Sequence, residues 1–533
     1  INRKCLSNLI LWILICLVLS TDYRPVYTGK VLTVPVDGSH WNTMKVLILE
    51  LMARGHNITV VRFSNNLNID ASSPDFNVLT VQLPENQART KEEKKQVAQS
   101  WIFHNAFSRK SCSSTSVWQL LVSIRRVSGD YRLAIEAMFN NVILMRQLQQ
   151  TNFDIVLADP FFPGGVMLAR YLNLPIVLFG RWMPTEDIHF KIAPSPLSYV
   201  PVLNSRLTDR MSFTQRLKNV IMYGFGNLVN HIFIYSSYND LCSRYLKSDE
   251  SIYTLYTRAD IYLMKFDFAL EFLRPSMPNA IYIGGFHTRP AKHLPPDLKD
   301  FMDGAENGAI IFSLGTITST LPANVATEIA AGLALLPQRV VWRYSGLPIP
   351  TLGNNTKLLS WIPQNDLLGH PNAMAFIAHG GENGIYEAIY HGVPIVGFPL
   401  FGDNYENLLR LSIKGAAVLL ENLHQLSRQD VYAAVRTVIE NPSYRASMKK
   451  LSRLHRDTPI PPRDLAVFWT EYVIRNKGAQ HLRAAGTDLP FYQYFLLDVI
   501  AFIILMSVLL CYSSWTLLRF FWNSLNRNKI KRD

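Results

Sequence analysis

A histidine and an aspartate follow two segments of the sequence that predict buried strands. Residues 30–36 alternate as a strand does, and the loop DGSHW after them contains His40. Residues 153–158 predict another strand, and Asp159 follows it directly. A histidine suits general base catalysis because its pKa lies near neutral pH, and an aspartate can orient its ring and stabilise the imidazolium. His40 and Asp159 are therefore a candidate catalytic pair.

A second candidate site lies in the stretch of residues 361–404. Its pattern predicts a strand ending at His379, a turn at Gly380-Gly381 and a helix that runs to Tyr390. Glycines let the backbone approach a ligand closely, and the unpaired N–H groups of a helix N-terminus suit a phosphate. Asn383 is the predicted N-cap of that helix. The stretch therefore predicts an anion-binding turn.

Two further side chains complete the outline of a nucleotide-sugar site. Trp361 offers a flat face on which a base can stack, and Glu387 offers a carboxylate for paired hydroxyls. Each feature alone is more often structural: a lone histidine after a strand is usually a satisfied polar residue, and a single tryptophan usually belongs to the core. Their joint spacing over one segment favours a binding site.

Alternating strands and helices must position these residues. Residues 30–36, 57–62, 153–158 and 175–180 predict strands with helices between them, which is typical of an open parallel sheet covered on both faces. Ligands bind at the carboxyl ends of such strands, so His40 and Asp159 are expected on one rim.

A second series of strands begins near residue 308. Residues 308–313 predict a strand, and the small residues after it predict another anion-binding turn, which contains Ser313, Gly315 and Thr316. Residues 339–343 predict a further strand of this series. The chain has 533 residues, too many for one hydrophobic core, so two domains are expected.

The net charge of +13 does not by itself indicate nucleic acid. The basic residues are spread along the chain, apart from a short cluster at the C-terminal end. An anionic substrate and a membrane surface explain the excess equally well. One mixed apolar and basic helix, predicted at residues 213–235, fits either an ordinary amphipathic helix or a face that lies on a membrane.

The N-terminal end predicts a leader. Arg3 and Lys4 precede a short apolar run, residues 9–19, so residues 1–21 are predicted to be a signal peptide. The run is too short to span a membrane comfortably. The folded protein is therefore expected to begin near Asp22.

The C-terminal end predicts an anchor. Residues 495–518 are predicted to form a transmembrane helix, because residues 499–518 carry no charge. The basic tail, residues 519–533, predicts the cytosolic side and hence a luminal body. The spacing of Lys529 and Lys531 resembles the dilysine signal of endoplasmic reticulum membrane proteins, with a plain stop-transfer patch as the alternative.

Cysteines and glycosylation sequons fit a luminal body. Of five cysteines, Cys112 and Cys242 fall in the predicted folded body, where an oxidising compartment would allow them to pair; the sequence leaves this open. No CxxC pattern or Cys/His cluster is present, which argues against zinc. Asn57 and Asn354 begin N-glycosylation sequons.

The second candidate site carries a family resemblance. The segments WIPQNDLLGHP (361–371) and HGGENGIYEAIYHGVPIVGFPLFGD (379–403) resemble the signature of UDP-glycosyltransferases, and within them of membrane-bound animal UDP-glucuronosyltransferases. Both motifs are long and specific, and the resemblance extends from His40 to the basic tail.

The resemblance implies a fold. It is an α/β structure in which two Rossmann-like, doubly wound domains face a cleft, the GT-B type, with one C-terminal transmembrane helix. Residues 22–285 would bind the acceptor, and residues 286–455 would bind the UDP-sugar, after a linker at residues 287–296. Residues 456–490 would form helices that pack back on the first domain, and within them the sequence predicts a helix at residues 468–483.

The resemblance also implies a reaction and a role for each site residue. His40 would deprotonate a small lipophilic acceptor, held in place by Asp159, and attack opposite UDP would invert the anomeric centre. UDP-glucuronate would be the co-substrate, with no other cofactor and no metal. The donor contacts would come from Ser313, Gly315, Thr316, Trp361, Gln364, His379, Gly380, Asn383, Gly384, Glu387, Asp403 and Asn404. Of these, Trp361 would stack on uracil, Gln364 would contact base or ribose, Glu387 the ribose hydroxyls, and Asp403 and Asn404 the sugar hydroxyls.

Two positions depart from the family pattern. Asn404 stands where the family usually has Gln, which shortens its reach, and Ala378 replaces the usual Thr before the signature histidine. No single residue establishes recognition of a glucuronate carboxylate, so other UDP-hexoses remain open.

Two other function classes are alternatives to a glycosyltransferase. A non-catalytic UDP-sugar-binding partner of active relatives would fit the shorter Asn404, whereas intact His40 and Asp159 favour turnover. A homo- or hetero-oligomer with related transferases is compatible with either. A dinucleotide oxidoreductase is disfavoured, because DGSHW stands where G-x-G-x-x-G would be expected.

Overall fold

A computed structural model describes residues 28–85, 89–107, 114–316 and 318–530. The predicted signal peptide and Cys112 lie outside these ranges, so the proposed pairing of Cys112 with Cys242 stays a prediction. Cys242 itself is buried and has no disulfide partner among the described residues. The chain divides after Leu482 into two compact units.

The first sheet is entirely parallel. Its strands are β1 Lys30–Val34, β2 Asn57–Phe63, β3 Asn77–Val81, β4 Ile155–Ala158, β5 Ile176–Gly180, β6 Ile261–Met264 and β7 Ala280–Tyr282. They pair in the order β3-β2-β1-β4-β5-β6-β7. The central strands are short apolar runs buried on both faces, as expected for a parallel sheet covered by helices. The predicted strands are found, with ends shifted by one or two residues.

Helices connect the strands of this sheet along the chain. They are α1 Ser39–Ala53, α2 Lys91–Phe107, α3 Ser114–Asn140, α4 Val142–Gln150, α5 Gly164–Leu172, α6 Glu186–Ile192, α7 Phe213–Val229, α8 Ser236–Leu246 and α9 Ile252–Thr257. The predicted helix at residues 213–235 continues past α7 as a π-helical turn, Asn230–Tyr235.

The loop predicted at DGSHW is shorter than expected. Gly38 is the N-cap of α1, with φ of 74°, and His40 is the second residue of the helix. A prediction that looks for a polar cap sets the helix start at Asn42, whereas glycine at φ > 0 allows the sharp entry seen here. His40 thus lies on the first turn of a helix.

A second parallel sheet follows in the same unit. Its strands are β8 Ala309–Ser313, β9 Arg339–Arg343, β10 Thr356–Leu359, β11 Ala373–Ala378, β12 Ile395–Gly397 and β13 Ala417–Leu419, in the order β10-β9-β8-β11-β12-β13. Its helices are α10 Pro296–Asp303, α11 Ala323–Ala334, α12 Gln364–Leu368, α13 Glu382–His391, α14 Asn404–Ile413, α15 Arg428–Glu440 and α16 Pro442–Arg456. The predicted linker falls between β7 and α10. The domain boundaries themselves stay a prediction.

The helix after the second sheet belongs to the core of the first. Helix α17, Pro462–Asn476, places Ala466, Val467 and Val473 in one buried cluster with Met44 and Leu47 of α1. The sequence prediction set this helix at residues 468–483, which is too late. Proline at its first turn starts the helix, and Lys477, with φ of 53°, ends it.

The second unit contains one long apolar helix. Helix α18, Phe491–Tyr494, is followed by α19, Leu497–Ile530. Within α19 the segment Leu497–Asn523 is apolar enough to cross a membrane, with a mean hydropathy of 2.2. This segment includes the uncharged residues 499–518 from which the transmembrane helix was predicted.

Candidate functional site

A cavity of about 800 Å³ opens between the carboxyl ends of the two sheets. This is where open parallel sheets bind ligands. The predicted site residues that line it are His40, Ser313, Gly315, Thr316, Trp361, Gln364, His379, Asn383, Gly384, Glu387, Asp403 and Asn404. Asp159 lies buried behind His40, and Gly380 packs against α14 instead of lining the cavity.

The register of the first sheet brings His40 to Asp159. Val34 at the end of β1 lies beside Ala158 at the end of β4, so the residues that follow both strands leave the sheet together. The Nδ1 atom of His40 lies 2.7 Å from Oδ2 of Asp159. The predicted pair therefore meets.

Asp159 is fixed on its other side by the backbone. Its Oδ1 accepts a hydrogen bond from the N–H of Phe161 at 2.9 Å, and its own N–H donates to the carbonyl of Val34. The side chain is 2% exposed, whereas that of His40 is 32% exposed and contacts the Phe161 ring edge-on. With Nδ1 engaged by Asp159, Nε2 is the imidazole nitrogen left for a ligand.

The second sheet places His379 at the opposite wall. Ala378 lies beside Ser313 in the register of β11 and β8, so the turns after both strands adjoin. A Cβ atom on Gly315 or Gly381 would lie 2.5 or 2.3 Å from the His379 ring, so only glycine fits on either side of it. Burial lowers the pKa of His379 to about 4, and the ring is neutral at physiological pH.

The helix after His379 begins without a side-chain cap. Gly381 is the N-cap of α13, so the prediction that Asn383 caps it is wrong; Asn383 is the second helical residue. Its carbonyl accepts a hydrogen bond from Nε2 of His287 at 3.2 Å, a ring kept neutral because burial lowers its pKa to about 3. An uncapped helix N-terminus that lines a cavity can bind an anion.

Two polar atoms at this wall have no protein partner. Nδ1 of His379 and Oδ1 of Asn383 are buried and make no hydrogen bond within the described part of the chain. Buried polar atoms are ordinarily satisfied, so both atoms are available to a ligand.

The nucleoside end of the predicted site is open. The Trp361 side chain is 65% exposed, and the guanidinium of Arg343 lies 5.0 Å from its ring centroid. Nε2 of Gln364 donates to Oε2 of Glu387 at 2.6 Å. Burial raises the pKa of Glu387 to about 7, so this carboxylate titrates near neutral pH.

Asp403 and Asn404 differ in what they offer a sugar. Oδ2 of Asp403 lies 2.9 Å from Nε of Arg181 and accepts a 2.9 Å hydrogen bond from Asn407. Although burial opposes ionisation, Arg181 holds the pKa of Asp403 below its usual value. Asn404 is 3% exposed, and its Oδ1 accepts the N–H of Phe401 at 3.2 Å. Its amide oxygen is thus committed to its own loop.

Sequence reasoning missed three cations that line the cavity at the ends of strands: Arg181, Lys265 and Arg343. Arg181 follows β5, Lys265 follows β6, and Arg343 is the last residue of β9. The strand-end rule that identified His40 and Asp159 also applies to these positions. The strand before Arg181 and the strand that ends at Arg343 were both predicted. These two cations could therefore have been identified from the sequence.

The three cations differ in whether their charge is already paired with a carboxylate. Nζ of Lys265 lies 3.0 Å from Oε2 of Glu382, at the start of α13. Arg181 contacts Asp403 and a buried glutamate, Glu271. Arg343 instead donates to the carbonyls of Gly315 and Thr316, so its charge remains available to an anion.

Comparison with known families and proteins gives consistent matches. The family described as UDP-glucoronosyl and UDP-glucosyl transferase matches residues 29–532. UDP-glucuronosyltransferase 2C1 of Oryctolagus cuniculus is 40% identical over 504 residues, which cover 93% of this chain and 99% of that protein. UDP-glucuronosyltransferase 2A3 of Homo sapiens is 40% identical over 486 residues, which cover 90% of each.

Solved structures share the architecture. Spinosyn forosaminyltransferase SpnP aligns with a TM-score of 0.54 at 16% identity, over 84% of this chain and 99% of that one. The calicheamicin glycosyltransferase CalG4 aligns with a TM-score of 0.51 at 19% identity, again over 84% and 99%. These likenesses, with the two parallel sheets, confirm the predicted GT-B fold.

Proposed function

Since the chain belongs to the family of UDP-glucoronosyl and UDP-glucosyl transferases, we propose that it transfers glucuronic acid from UDP-glucuronate to a hydroxyl or similar nucleophile of small lipophilic acceptors. The products are β-glucuronides. The observation that carries the proposal is one cavity with a His40–Asp159 pair on one wall and an uncapped helix N-terminus on the other.

The acceptor side supplies the base. Asp159 accepts the Nδ1–H of His40, which leaves the lone pair of Nε2 free to take the acceptor proton. As the acceptor oxygen bonds to the anomeric carbon, the bond from that carbon to the UDP oxygen breaks. The proton moves to Nε2, and the buried carboxylate stabilises the imidazolium.

The donor side receives the charge of the leaving UDP. The N–H groups at the start of α13 and the neutral ring of His379 are donors that need no rearrangement as this charge develops. Ser313, Gly315 and Thr316 follow β8 beside them. Attack from the opposite face inverts the sugar's anomeric centre.

The remaining contacts orient the donor. Trp361 stacks on uracil, Gln364 and Glu387 hold base and ribose, and Asp403 binds the sugar hydroxyls. Asn404 contributes through its position in the loop, because its amide oxygen is already bonded to Phe401. The reaction as proposed uses UDP-glucuronate as co-substrate, with no metal and no other cofactor.

The same proposal places the protein in the endoplasmic reticulum membrane as a single-pass type I protein. Leu497–Asn523 supplies the span, and the basic residues after it favour a cytosolic tail and a luminal body. The sequon residues Asn57 and Asn354 are both exposed, as luminal glycosylation requires.

One observation favours a second candidate, a related enzyme that uses a neutral UDP-hexose. Lys265, a cation on the cavity wall, is already paired with Glu382, so a glucuronate carboxylate would have to compete for it. The candidate shares every other step with the main proposal.

A donor panel separates these candidates. The full chain in microsomes is given UDP-glucuronate, UDP-glucose, UDP-galactose, UDP-xylose or UDP-N-acetylglucosamine with one permissive phenol. We expect UDP release and a β-glucuronide with the first donor. Preference for a neutral donor would support the second candidate. Donor binding without UDP release from any of them would show a non-catalytic partner and reject both.

A further inference from the structure

Helix α7 presents its apolar side chains to solvent. A row of large apolar residues recurs every three or four positions along α7 and into the π-helical turn after it, and each of its members is at least 50% exposed. The members of this row, called here the apolar stripe, are Phe213, Leu217, Val220, Ile221, Phe225, Leu228 and Ile232. An ordinary amphipathic helix turns such a row inward.

The side of α7 that faces the protein is held mainly by a polar residue. Asn219 is the only buried residue of this fully described helix, and it is 0% exposed. Its Nδ2 donates to the carbonyls of Leu197 and Val200, each at 2.9 Å, and its Oδ1 accepts the N–H of Val202 at 2.8 Å. Met222 and Tyr223 on the same side are half-buried, whereas the large apolar residues of the stripe stay exposed.

The start of the helix is specified by its sequence. Ser212 and Gln215 form a capping box, in which each side chain accepts the other's backbone N–H. The exposure of the stripe is therefore a property of a well-defined helix.

Within the helix that carries the stripe, every charged residue is basic. From residue 213 to 235 the sequence has no Asp or Glu, and Arg216 and Lys218 stand at the N-terminal end; Asp209 and Arg210, just before the helix, are of opposite charge. A helix with an apolar face and basic flanking residues binds at the boundary of an anionic bilayer, with its apolar face about 5–10 Å into the headgroup and acyl boundary.

We propose that the apolar stripe docks on the lipid bilayer that also holds Leu497–Asn523, an inference that rests on the anchoring in the proposed function. A chain with its own span keeps its body beside a bilayer, so this partner is always present. Anionic headgroups also pair with Arg216 and Lys218, whereas the same helix of a second copy has no carboxylate between residues 213 and 235.

A short path of residues connects the helix of the apolar stripe to the wall of the cavity. Asn219 holds the N–H of Val202, and the next residue, Leu203, lines the cavity. A lipophilic acceptor dissolved in the bilayer would therefore lie close to the segment that borders the site. This gives the docking surface a use in the proposed reaction.

Depth-dependent quenching tests the contact on the full chain. Dansylalanine replaces Ile221 in one protein and Leu347 in a matched control, since Leu347 is 75% exposed and outside the stripe. Each is inserted, one chain per disc, into nanodiscs of phosphatidylcholine and phosphatidylserine with brominated acyl chains. We expect loss of most of the fluorescence at position 221 and little loss at position 347. Equal quenching at both positions, or none at 221, would overturn the proposal.

A charge variant separates specific docking from a probe effect. With dansylalanine in place of Leu228, Leu217→Glu and Ile221→Glu are expected to restore fluorescence, while enzyme activity in detergent is retained. Persistent quenching in this variant contradicts docking through the stripe. Failure of the chain to enter the nanodisc would count against the span and not the stripe. Cross-linking between chains at Ile221→Cys, without lipid quenching, would overturn lipid docking in favour of a second copy.

Discussion

Two histidines in one cavity are given different roles by their surroundings. His40 is partly exposed and bonded to a buried aspartate, an arrangement that suits a base which gains and then releases a proton. His379 is held between glycines, and burial lowers its pKa to about 4, an arrangement that suits a neutral hydrogen-bond donor beside a phosphate. The residue type alone does not distinguish these roles; burial and the neighbouring carboxylate do.

Removing the base should lower turnover and spare donor binding. We expect His40→Ala to lose about 10²-fold or more in kcat, the usual contribution of a general base. Asp159→Asn should lose activity as well, because an amide no longer fixes the imidazole with Nδ1–H toward it. Calorimetric titration with UDP should give an unchanged Kd in both variants, and a weakened Kd would indicate structural damage instead.

Glu387 should impose a pH dependence on stability. Burial raises the pKa of this carboxyl from 4.5 to about 7, so the folded state holds its proton more tightly than the unfolded state. The more tightly bound proton of Glu387 stabilises the folded state fully below about pH 4.5, and this stabilisation is lost as the pH rises to about 7. We therefore expect Glu387→Gln to gain Tm relative to the wild type between these values and to hold that gain above them.

Thermal unfolding followed across the pH series measures this gain. Glu306→Gln serves as the control, because Glu306 is exposed to solvent. A Tm difference for Glu387→Gln that stays constant from pH 4 to pH 8 would contradict a raised pKa in the folded state.

At the scale of elements, the sequence predicted strands better than helix starts. Buried parallel strands are continuous apolar runs, so β9 was predicted at its observed bounds, Arg339–Arg343. The starts of α1 and α13 were placed too late, because both helices are preceded by a glycine N-cap and lack the polar side chain that marks a start. These two helix starts line the cavity, so the local rule fails at the proposed binding site.

Other features could not be predicted because they depend on distant residues. Helix α17 joins the first sheet's core by packing against α1 and against strands β5 and β6, and no pattern within its own residues identifies these partners. The exposure of the apolar stripe of α7 depends on Asn219 meeting a segment about twenty residues earlier. The pairing of Lys265 with Glu382 likewise joins the two sheets.

Gly381 should be required because its turn packs closely against His379, and not because it precedes a helix. A Cβ there would lie 2.3 Å from Nε2 of His379, so we expect Gly381→Ala to displace the ring, weaken UDP binding and lower the Tm. Gly129 is the matched control, because its added Cβ meets nothing within 4 Å. Since Gly129 lies inside α3, alanine there should stabilise by about 0.5–1 kcal/mol and leave UDP binding unchanged. Equal UDP affinity in both variants would show that the close packing around His379 is dispensable.

At the scale of the whole first unit, a buried charge cluster joins the two sheets across the cleft. Arg181 and Glu271 come from the first sheet's side, and Asp403, Asn407 and Arg410 from the second. Although burial disfavours its charge, Glu271 and Asp403 raise the pKa of Arg181 above its usual value. The cluster holds Asp403, the proposed sugar ligand, in place from the opposite side of the cleft.

Removing the guanidinium should destabilise the protein. Arg181→Met removes the ion-pair partner of the buried Asp403 and leaves Glu271 paired with Arg410 alone, and breaking a buried pair in this way costs about 3–5 kcal/mol. The control is Arg428→Met. Both side chains of the Arg428–Glu328 pair are partly exposed to solvent, so the pair contributes little to the free energy of unfolding. Thermal denaturation should show a large drop in Tm for the first variant only. Similar Tm values for both variants would show that the cluster does not hold the sheets together.

A conservative change separates the positioning of Asp403 from stability. Arg181→Lys keeps the charge but loses the planar fork that reaches Asp403 and Asn407 together. Because Asp403 is proposed to bind the sugar and not UDP, the affinity for UDP-glucuronate should fall toward that for UDP, while the Kd of UDP stays the same. Asp403→Asn should produce the same fall, and the double variant should lose no more than either single one, as expected for residues that act through one contact. Additive losses, or an equal loss of UDP affinity, would show that Arg181 acts on the cleft as a whole and not through Asp403.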